Sequence, residues 1–209
     1  MFMGIGTCFV PARQSKSSVR KYSERFAAIV PNQAMMFRRV FVFLVALVLL
    51  VTGLYVYAHY NWNPLPAGTA IDRILVQKSA RQLSIFAGGK ELKSYRVALG
   101  RNPVGAKEQE GDMKTPEGIY TIDWRNPESD YHLSLHISYP SDADNARAAE
   151  RGANAGFDIM IHGIRNGGGW IGAFHRMHDW TAGCIALTDE EIEELYRVTP
   201  DWTPIEIRP

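Results

Sequence analysis

Cysteine is scarce in this sequence: Cys8 and Cys184 are the only two among 209 residues. So few cysteines exclude a small domain held together by disulfides, which needs several pairs. The sequence also has no internal repeat of about 20 to 50 residues and no low-complexity tract, which excludes a repeat protein and a disordered chain. With 46% hydrophobic and 22% charged residues, the composition is that of a globular domain with something added.

Charge is missing from one stretch and unevenly divided over the rest. Residues 1–39 contain seven Lys or Arg and one acid, a balance of +6, whereas residues 40–60 contain no Asp, Glu, Lys or Arg. Residues 61–209 contain 16 bases and 21 acids, a balance of −5. Division of this kind indicates a membrane between the two parts. The acidic balance of residues 61–209 argues against a nucleic-acid partner.

The uncharged stretch, VFVFLVALVLLVTGLYVYA, predicts a transmembrane signal-anchor helix over residues 40–58. A bilayer core about 30 Å thick needs about 20 helical residues, and this run is long enough. Arg38 and Arg39 precede the run, while only Arg73 follows it within roughly 15 residues, so the positive-inside rule predicts a cytoplasmic N-terminus. We therefore expect a single-pass membrane protein with residues 61–209 outside the cytoplasm. The alternative is a cleaved signal peptide, although the run exceeds the usual apolar region of about 7 to 15 residues.

The remaining sequence divides into an arm, a linker and one domain. Residues 1–39 are a basic cytoplasmic arm, in which residues 1–34 show no apolar period and are assigned no function. Met35 and Met36 offer an alternative start that would make residues 1–34 an over-extended reading frame. Residues 59–69, with two prolines and a glycine, predict a linker. Residues 70–209 then form a single domain of about 140 residues, long enough to bury a core.

Residues 70–209 predict an α+β fold that is dominated by strands. Short apolar or alternating runs predict eight strands, at 71–76, 83–86, 92–99, 119–124, 133–139, 158–162, 184–187 and 204–207. An alanine-rich helix is predicted over 142–151, ending before Gly152. A second helix is predicted after the capping-box pattern at 188–191, with the acids of 189–194 on a solvated face and Pro200 closing it.

Cys184 is the one cysteine on the exported side of the predicted membrane span, so it has no disulfide partner there. It is an intermolecular link, a buried apolar residue or a working thiol. It directly follows Gly183 and starts an apolar run, where backbone N–H groups of a tight turn can face a developing oxyanion. His162, at the end of the apolar run DIMIH, is the best candidate base for a thiol. The alternative for His162 is a structural residue at a strand end.

The motif IHG at 161–163, followed by a glycine-rich loop and TAGCI at 181–185, resembles the active-site motif of the L,D-transpeptidase (YkuD-like) catalytic domain. Stretches at 98–100, 111–120 and 138–140 are also similar to that family, so the resemblance covers about residues 70–208. Ala182 departs from the family's commonest motif, which has a second histidine there. The loop between the two halves of the motif is also somewhat longer than usual. Some family members that lack this histidine resemble hydrolases or enzymes that cleave cross-links.

The resemblance implies a fold, a substrate and a mechanism. The fold is the α+β, β-dominated L,D-transpeptidase fold, here preceded by a single N-terminal transmembrane helix, and the substrate is the stem peptide of peptidoglycan. Cys184 would attack the carbonyl of the third stem residue and form a thioester, with His162 as proton acceptor and donor. The Gly163 carbonyl would orient the imidazole, and the N–H groups of Gly183 and Cys184 would hold the oxyanion.

The acceptor decides the product of the implied reaction. An amine of another stem gives a cross-link, whereas water gives an L,D-carboxypeptidase or endopeptidase that uses the same two residues. The resemblance implies no cofactor and no metal, and we expect a monomer. Together with the predicted span, it implies a single-pass protein of the cell inner membrane with its catalytic domain in the periplasm.

The loop GIRNGGGW at 163–170 lacks the Lys-Ser/Thr of a phosphate-binding loop, and no helix is indicated directly after it. We interpret it as a mobile loop over the site, in which Arg165 meets a stem carboxylate and Trp170 contributes to substrate binding. A solvent-facing loop is the alternative. Thr181, at the start of the cysteine motif, completes the predicted substrate-binding set.

Two other functions stay open at this point. A zinc hydrolase would take its ligands from one short segment together with the candidate pair: His175, His178, Asp179, His162 and Cys184. The glycines near that segment argue against the helix that such a site would need. A membrane-tethered module that binds the cell wall would leave the cysteine inert.

Overall fold

The computed structural model describes residues 33–209, so most of the predicted basic arm, including Cys8, lies outside the described residues. The chain divides into two units, Met1–Gly53 and Leu54–Pro209. The described residues form three α-helices, one 3-10 helix and eight β-strands.

Helix α1, Gln33–His59, contains the predicted transmembrane run. Its most apolar window has a mean hydropathy of 2.7 and none of it is buried within the protein. Since an apolar helix without a protein core around it needs another apolar environment, α1 has the length and composition of a membrane span or a signal sequence.

A mixed eight-stranded sheet, curved into a half-barrel, forms the body of the domain. Its strands are β1 Arg73–Gln77, β2 Gln82–Ala87, β3 Lys90–Arg96, β4 Gly118–Ser129, β5 His132–Ile137, β6 Met160–His162, β7 Ile185–Ala186 and β8 Pro204–Arg208. They lie in the order β3-β2-β1-β8-β4-β5-β6-β7. The β1–β8 and β6–β7 pairs are parallel and the others are antiparallel. The predicted β-dominated α+β fold is confirmed, and each of the eight predicted strands has a counterpart.

Strand β3 ends earlier than predicted, and β6 and β7 begin later than predicted, and the residues between these bounds matter for the site. Asp158, with φ of 56°, and Gly183, with φ of 140°, leave the extended conformation just before β6 and β7. The end of the predicted third strand instead forms isolated bridges, Ala98 to Ala186 and Gly100 to Thr181. These bridges hold the residues around the cysteine motif against the sheet.

The core lies between the concave sheet and its helices. Alternating side chains of the strands, such as Ile74, Val76, Ile205 and Ile207, are at most 2% exposed, as the period of two requires. The two predicted helices are confirmed as α2, Asp142–Glu150, and α3, Asp189–Val198. Both begin with a complete capping box, and α3 buries one apolar face against the sheet: Ile192, Leu195 and Val198.

Glu194 of α3 is not on a solvated face as predicted, because it is buried at 5% exposure. Its carboxylate accepts hydrogen bonds from Lys93 Nζ and from the hydroxyl of Tyr95, at 2.8 Å. It also accepts from the Leu65 N–H at 2.6 Å and from Asn61 Nδ2 at 3.2 Å. The segment predicted as a linker therefore packs onto the domain through Asn61 and Leu65.

Removing this carboxylate should destabilise the domain strongly. Burial alone would raise the pKa of Glu194, but its bonds to Lys93, the Leu65 N–H and Tyr95 outweigh burial and lower it. For Glu194→Ala we expect a loss of about 3–5 kcal/mol in unfolding free energy, since Lys93, whose side chain is 11% exposed, loses its only carboxylate partner among the described residues. Urea unfolding of the full chain in detergent, followed by tryptophan fluorescence, measures this.

The pH dependence and a matched variant check the origin of that loss. Because the pKa of Glu194 is lowered by folding, its stabilisation is complete above the ordinary carboxyl pKa and is lost as pH falls through the lowered value. The difference between wild type and Glu194→Ala should therefore shrink in acid. Glu206→Ala, which removes a partly exposed partner of the exposed Arg208, should leave the unfolding midpoint nearly unchanged. Equal effects of the two variants would contradict the assignment.

Candidate active site

The sheet places the two predicted catalytic residues on neighbouring parallel strands. His162 ends β6, and Cys184 directly precedes β7, whose Ile185 pairs with Ile161. Both side chains line one open cleft of about 880 Å³. Since functional side chains are held most rigidly at strand ends, the sheet brings together a thiol and an imidazole over one cavity.

His162 is a buried, neutral imidazole, and one of its ring nitrogens is already hydrogen-bonded to the backbone. Its Nδ1 lies 2.7 Å from the carbonyl oxygen of Gly163, which only accepts, so Nδ1 carries the proton and Nε2 is the free acceptor. The ring is 5% exposed, and burial lowers its pKa to about 4 in spite of the bond to Gly163. At neutral pH the ring can therefore accept a proton at Nε2.

Two aromatic rings that the sequence analysis did not single out as site residues hold this imidazole in place. The Tyr131 ring lies 4.5 Å from the His162 ring, and the Trp180 ring lies 5.7 Å from it. Trp180 Nε1 in turn donates to His175 Nδ1 at 3.2 Å, and burial lowers the pKa of His175 to about 3. His175 is thus a neutral acceptor in the wall of the cleft. The position of Trp180 beside the cysteine motif was the available signal, whereas nothing in the sequence indicates Tyr131.

Glycine is required at position 163 by close packing. A Cβ there would lie 2.7 Å from Asp189 Oδ1 and 3.0 Å from the Tyr131 carbonyl oxygen. The same Asp189 oxygen accepts from the Ile164 N–H at 2.8 Å. The start of α3 therefore fixes the backbone whose carbonyl binds the imidazole.

Cys184 rests as a thiol that is turned toward a backbone carbonyl. Its Sγ donates to the Asp158 carbonyl oxygen at 3.6 Å, and burial raises the thiol pKa above its ordinary value. Within residues 33–209 no hydrogen bond joins this thiol to His162. The left-handed backbone of Asp158 aims that carbonyl at the sulfur, and such a conformation is sparsely populated outside functional or tightly packed sites.

The turn before Cys184 is organised by Thr181. Its hydroxyl donates to the Cys184 carbonyl at 2.8 Å and accepts from the Gly183 N–H at 3.1 Å. This occupied N–H argues against the predicted oxyanion role of Gly183, since a donor already paired within the turn is not free for substrate. Gly183 is required for another reason: a Cβ there would lie 2.7 Å from the Lys114 carbonyl oxygen.

Within the described residues, the Cys184 N–H has no hydrogen-bond partner. Of the two predicted oxyanion donors, the N–H groups of Gly183 and Cys184, it is therefore the one still available to a substrate. Thr181 is buried, at 4% exposure, and its hydroxyl is used inside the turn. The structure thus gives Thr181 a role in shaping the turn, where the sequence predicted substrate binding.

The loop predicted over the site is partly helical, which corrects the expectation of no helix after it. Gly169–Met177 forms a 3-10 helix that breaks at Gly172, where φ is 49° and ψ is −140°. Glycine tolerates such a break without a steric penalty. Arg165 is exposed and lines the cleft. Trp170 does not line it: its indole is 74% exposed, and its carbonyl accepts from His59 Nε2 at 3.1 Å.

The alternative zinc site does not fit the geometry. Within residues 33–209 no three His, Cys, Asp or Glu side chains lie close enough to share an ion. Asp179 is occupied by Arg81, at 3.0 Å, and by the Leu99 N–H, at 2.9 Å. His175 is occupied by the indole of Trp180.

Cys184 also borders a second cavity, of about 300 Å³. Asp158, Ala182 and Cys184 line both cavities, so the thiol lies at their junction. The second cavity contains charge of both signs, from Lys107 and Glu110. A reactant can therefore approach Cys184 from two sides.

Comparison with known proteins agrees with this geometry. Residues 71–207 match the family model of the L,D-transpeptidase catalytic domain, YkuD. Over 131 residues the chain is 29% identical to the Escherichia coli protein named "Putative L,D-transpeptidase YafK", which covers 59% of this chain and 45% of that protein. The crystal structure of the helical cell shape determining protein Pgp2 from Campylobacter jejuni superposes with a TM-score of 0.52 at 25% identity, covering 68% of this chain and 48% of that one. The chain thus spans about half the length of these relatives. Through residues 71–207, this chain belongs to the L,D-transpeptidase (YkuD) catalytic domain family.

Proposed function

We propose that this chain is a cysteine L,D-transpeptidase that modifies the stem peptide of peptidoglycan through a thioester on Cys184. One observation carries the proposal: a free thiol and a neutral imidazole with an available Nε2 line the same cleft, on adjacent strands. The cleft, at about 880 Å³, is large enough for several residues of a peptide.

The first half-reaction begins with a change of partner at the thiol. On substrate binding, Sγ leaves the Asp158 carbonyl, and His162 Nε2 takes its proton as the sulfur attacks the carbonyl of the third stem residue. Apo sites often have such catalytic bonds long or unformed, and they tighten with substrate. The C–N bond to the terminal D-residue then breaks, its amine leaves with the proton from His162, and a thioester remains.

The second half-reaction reverses these transfers. An acceptor amine attacks the thioester while His162 removes its proton, the C–S bond breaks, and the thiolate recovers the proton from His162. The free Cys184 N–H is the proposed oxyanion donor in both halves. Arg165, at the edge of the cleft, is the proposed partner of a stem carboxylate.

The second cavity favours transfer over hydrolysis. Because Cys184 lies at the junction of two cavities, a donor stem in the larger one leaves the smaller one open to an acceptor amine. Its Glu110 carboxylate would attract an ammonium group.

One feature favours the alternative, an L,D-carboxypeptidase or endopeptidase. Ala182 lines both cavities and carries only a methyl group, so this position provides no second base for an acceptor amine. Water then competes for the thioester.

Helix α1 supports a membrane location for the enzyme. We propose that its apolar run at 40–58 anchors the chain in the inner membrane, with residues 61–209 on the periplasmic side, because Arg38 and Arg39 lie directly before that run.

Mass spectrometry of the full chain incubated with disaccharide tetrapeptides tests the function. We expect a thioester adduct on Cys184, loss of the terminal D-residue, and a dimer joined between two third-position residues. Tripeptide without dimer, at every acceptor concentration, would assign hydrolysis instead. Finding neither adduct, nor tripeptide, nor dimer would contradict both enzymatic functions and favour the inert wall-binding module.

A further inference from the structure

His59, the last residue of α1, contacts two other elements of its unit through both ring nitrogens. Nδ1 lies 2.9 Å from Oε1 of Glu190 on α3, and Nε2 lies 3.1 Å from the carbonyl oxygen of Trp170 on the 3-10 helix. A carboxylate and a backbone carbonyl both accept hydrogen bonds. A ring that makes both bonds therefore carries a proton on each nitrogen, which is the imidazolium form.

The neutral ring can keep only one of the two bonds, since it has a single N–H. The carboxylate of Glu190 is the stronger acceptor, so the bond to the Trp170 carbonyl is the one lost on deprotonation. The attachment of the 3-10 helix to this corner of the domain thus depends on the protonation of one histidine.

Charges around His59 favour a protonated ring. The charged side chains facing it across the adjoining cavity are Lys93, Arg96, Arg176, Glu190 and Glu191, and Asp189 lies nearby on α3. Arg176 is paired with Glu191, and Lys93 is paired with Glu194. Within the described residues, the Glu190 carboxylate forms its one side-chain hydrogen bond with His59. The Tyr55 ring covers the imidazole at 4.5 Å.

The 3-10 helix connects this contact to the active site. At its break, Gly172 packs so closely on the end of α1 that a Cβ would lie 2.7 Å from the Ala58 carbonyl oxygen and 3.0 Å from the His59 ring. The opposite side of the same helix lines the cleft with Phe174 and His175. His175 then accepts from the indole that packs against the catalytic imidazole.

We propose that His59 is a positioning residue for the active site, which holds the 3-10 helix Gly169–Met177 in its cleft-forming position through a doubly protonated bridge between Glu190 and Trp170. Loss of a proton from His59 releases the carbonyl of Trp170 and loosens this wall of the cleft. The catalytic consequence rests on the proposed function, but the movement of the helix does not.

Hydrogen exchange of the full chain in lipid nanodiscs tests the bridge without any substrate. Protection factors for residues 169–177, corrected for intrinsic exchange, are compared at pH 5.5 and pH 8.5. In the wild type we expect protection to fall about tenfold at the higher pH, the effect of one lost charge-assisted bond. His59→Gln has one donor nitrogen at any pH, so its protection should be low and equal at both values.

Two further variants separate the bridge from general destabilisation. Glu190→Gln removes the carboxylate that favours the imidazolium, so the loss of protection should occur at lower pH than in the wild type. His136→Gln removes a histidine that is 2.6 Å from Asp123 Oδ1 and does not line the cleft, so it should retain the wild-type change. Protection of the central strands in each variant shows whether the domain is folded.

Activity provides the second measurement. If the stem peptide is the substrate, KM should rise about tenfold with pH in the wild type relative to His59→Gln, while kcat changes less, because the substrate-binding wall is what moves. Protection of residues 169–177 that is equal at both pH values in the wild type, or that changes with pH equally in His59→Gln, would overturn the proposal. That result would leave the proposed function intact, and absence of turnover would leave the exchange result valid.

Discussion

Replacing Cys184 with alanine should abolish turnover of tetrapeptide stems, with a loss of roughly 10⁴-fold or more, because no other group supplies the attacking atom. The fold should be unaffected, since the thiol contacts only backbone groups weakly, among them the Asp158 carbonyl at 3.6 Å. Liquid chromatography of the reaction products gives the rate, and intact mass gives the thioester. The wild type should show the adduct and Cys184→Ala should not.

Cys184→Ser sharpens this prediction. A hydroxyl fits the same space but is a far weaker nucleophile next to a neutral imidazole, so we expect activity close to that of the alanine variant. Cys8→Ala is the matched control, because it removes the other cysteine, which precedes the predicted membrane span. Turnover that survives in Cys184→Ala would contradict catalysis by this thiol. A substrate adduct on Cys8 would show that adduct formation is not specific to the active site.

The protonated resting state of the Cys184 thiol also leads us to expect slow alkylation. Because burial raises the pKa of Cys184, little thiolate is present at neutral pH, and iodoacetamide should react slowly without substrate. In the proposed mechanism we therefore expect proton transfer to His162 during attack, and not a preformed thiolate and imidazolium pair. The pH profile of the enzyme must then report the imidazole.

The sheet and helices were predictable because their patterns are local. Ile74 and Val76, and likewise Ile205 and Ile207, are two residues apart, and this spacing indicates which face of each strand is buried. Capping boxes mark where both helices of the domain begin. The thiol and the imidazole could be proposed for a similar reason, since Cys184 starts an apolar run after a glycine and His162 ends one before a glycine.

Other parts of the site depend on contacts between residues far apart in sequence. Glu194 looked solvated because a helix of acids has an exposed face, yet it is buried under a segment about 130 residues earlier. The pairing of the Gly183 N–H follows from one rotamer of Thr181, which no periodicity reports. The 3-10 helix was missed because a glycine inside it argues against helices, whereas a break at Gly172 accommodates one.

Replacing His162 with glutamine should lower kcat/KM by about 10²- to 10⁴-fold, the usual range for a general base. The wild type should lose activity as pH falls through about 4, because a protonated Nε2 cannot accept the thiol proton. An ordinary histidine would place this acid limb near 6.5. In His162→Gln the residual activity should not have the limb, and His136→Gln should keep both rate and limb.

The same lowered pKa predicts that acid reduces the stability of the wild type as well as its activity. In the unfolded chain His162 takes up a proton near pH 6.5, whereas in the folded chain burial delays this to about pH 4. Between these values the unfolded state binds more protons, so acid lowers the unfolding free energy of the wild type. His162→Gln removes this contribution, and its stability should fall less from pH 7 to pH 4 even though its activity is far lower. A wild-type acid limb near 6.5, or equal acid sensitivity of unfolding in both proteins, would mean that the imidazole is solvated in the working enzyme and that its burial against Tyr131 and Trp180 does not set its chemistry.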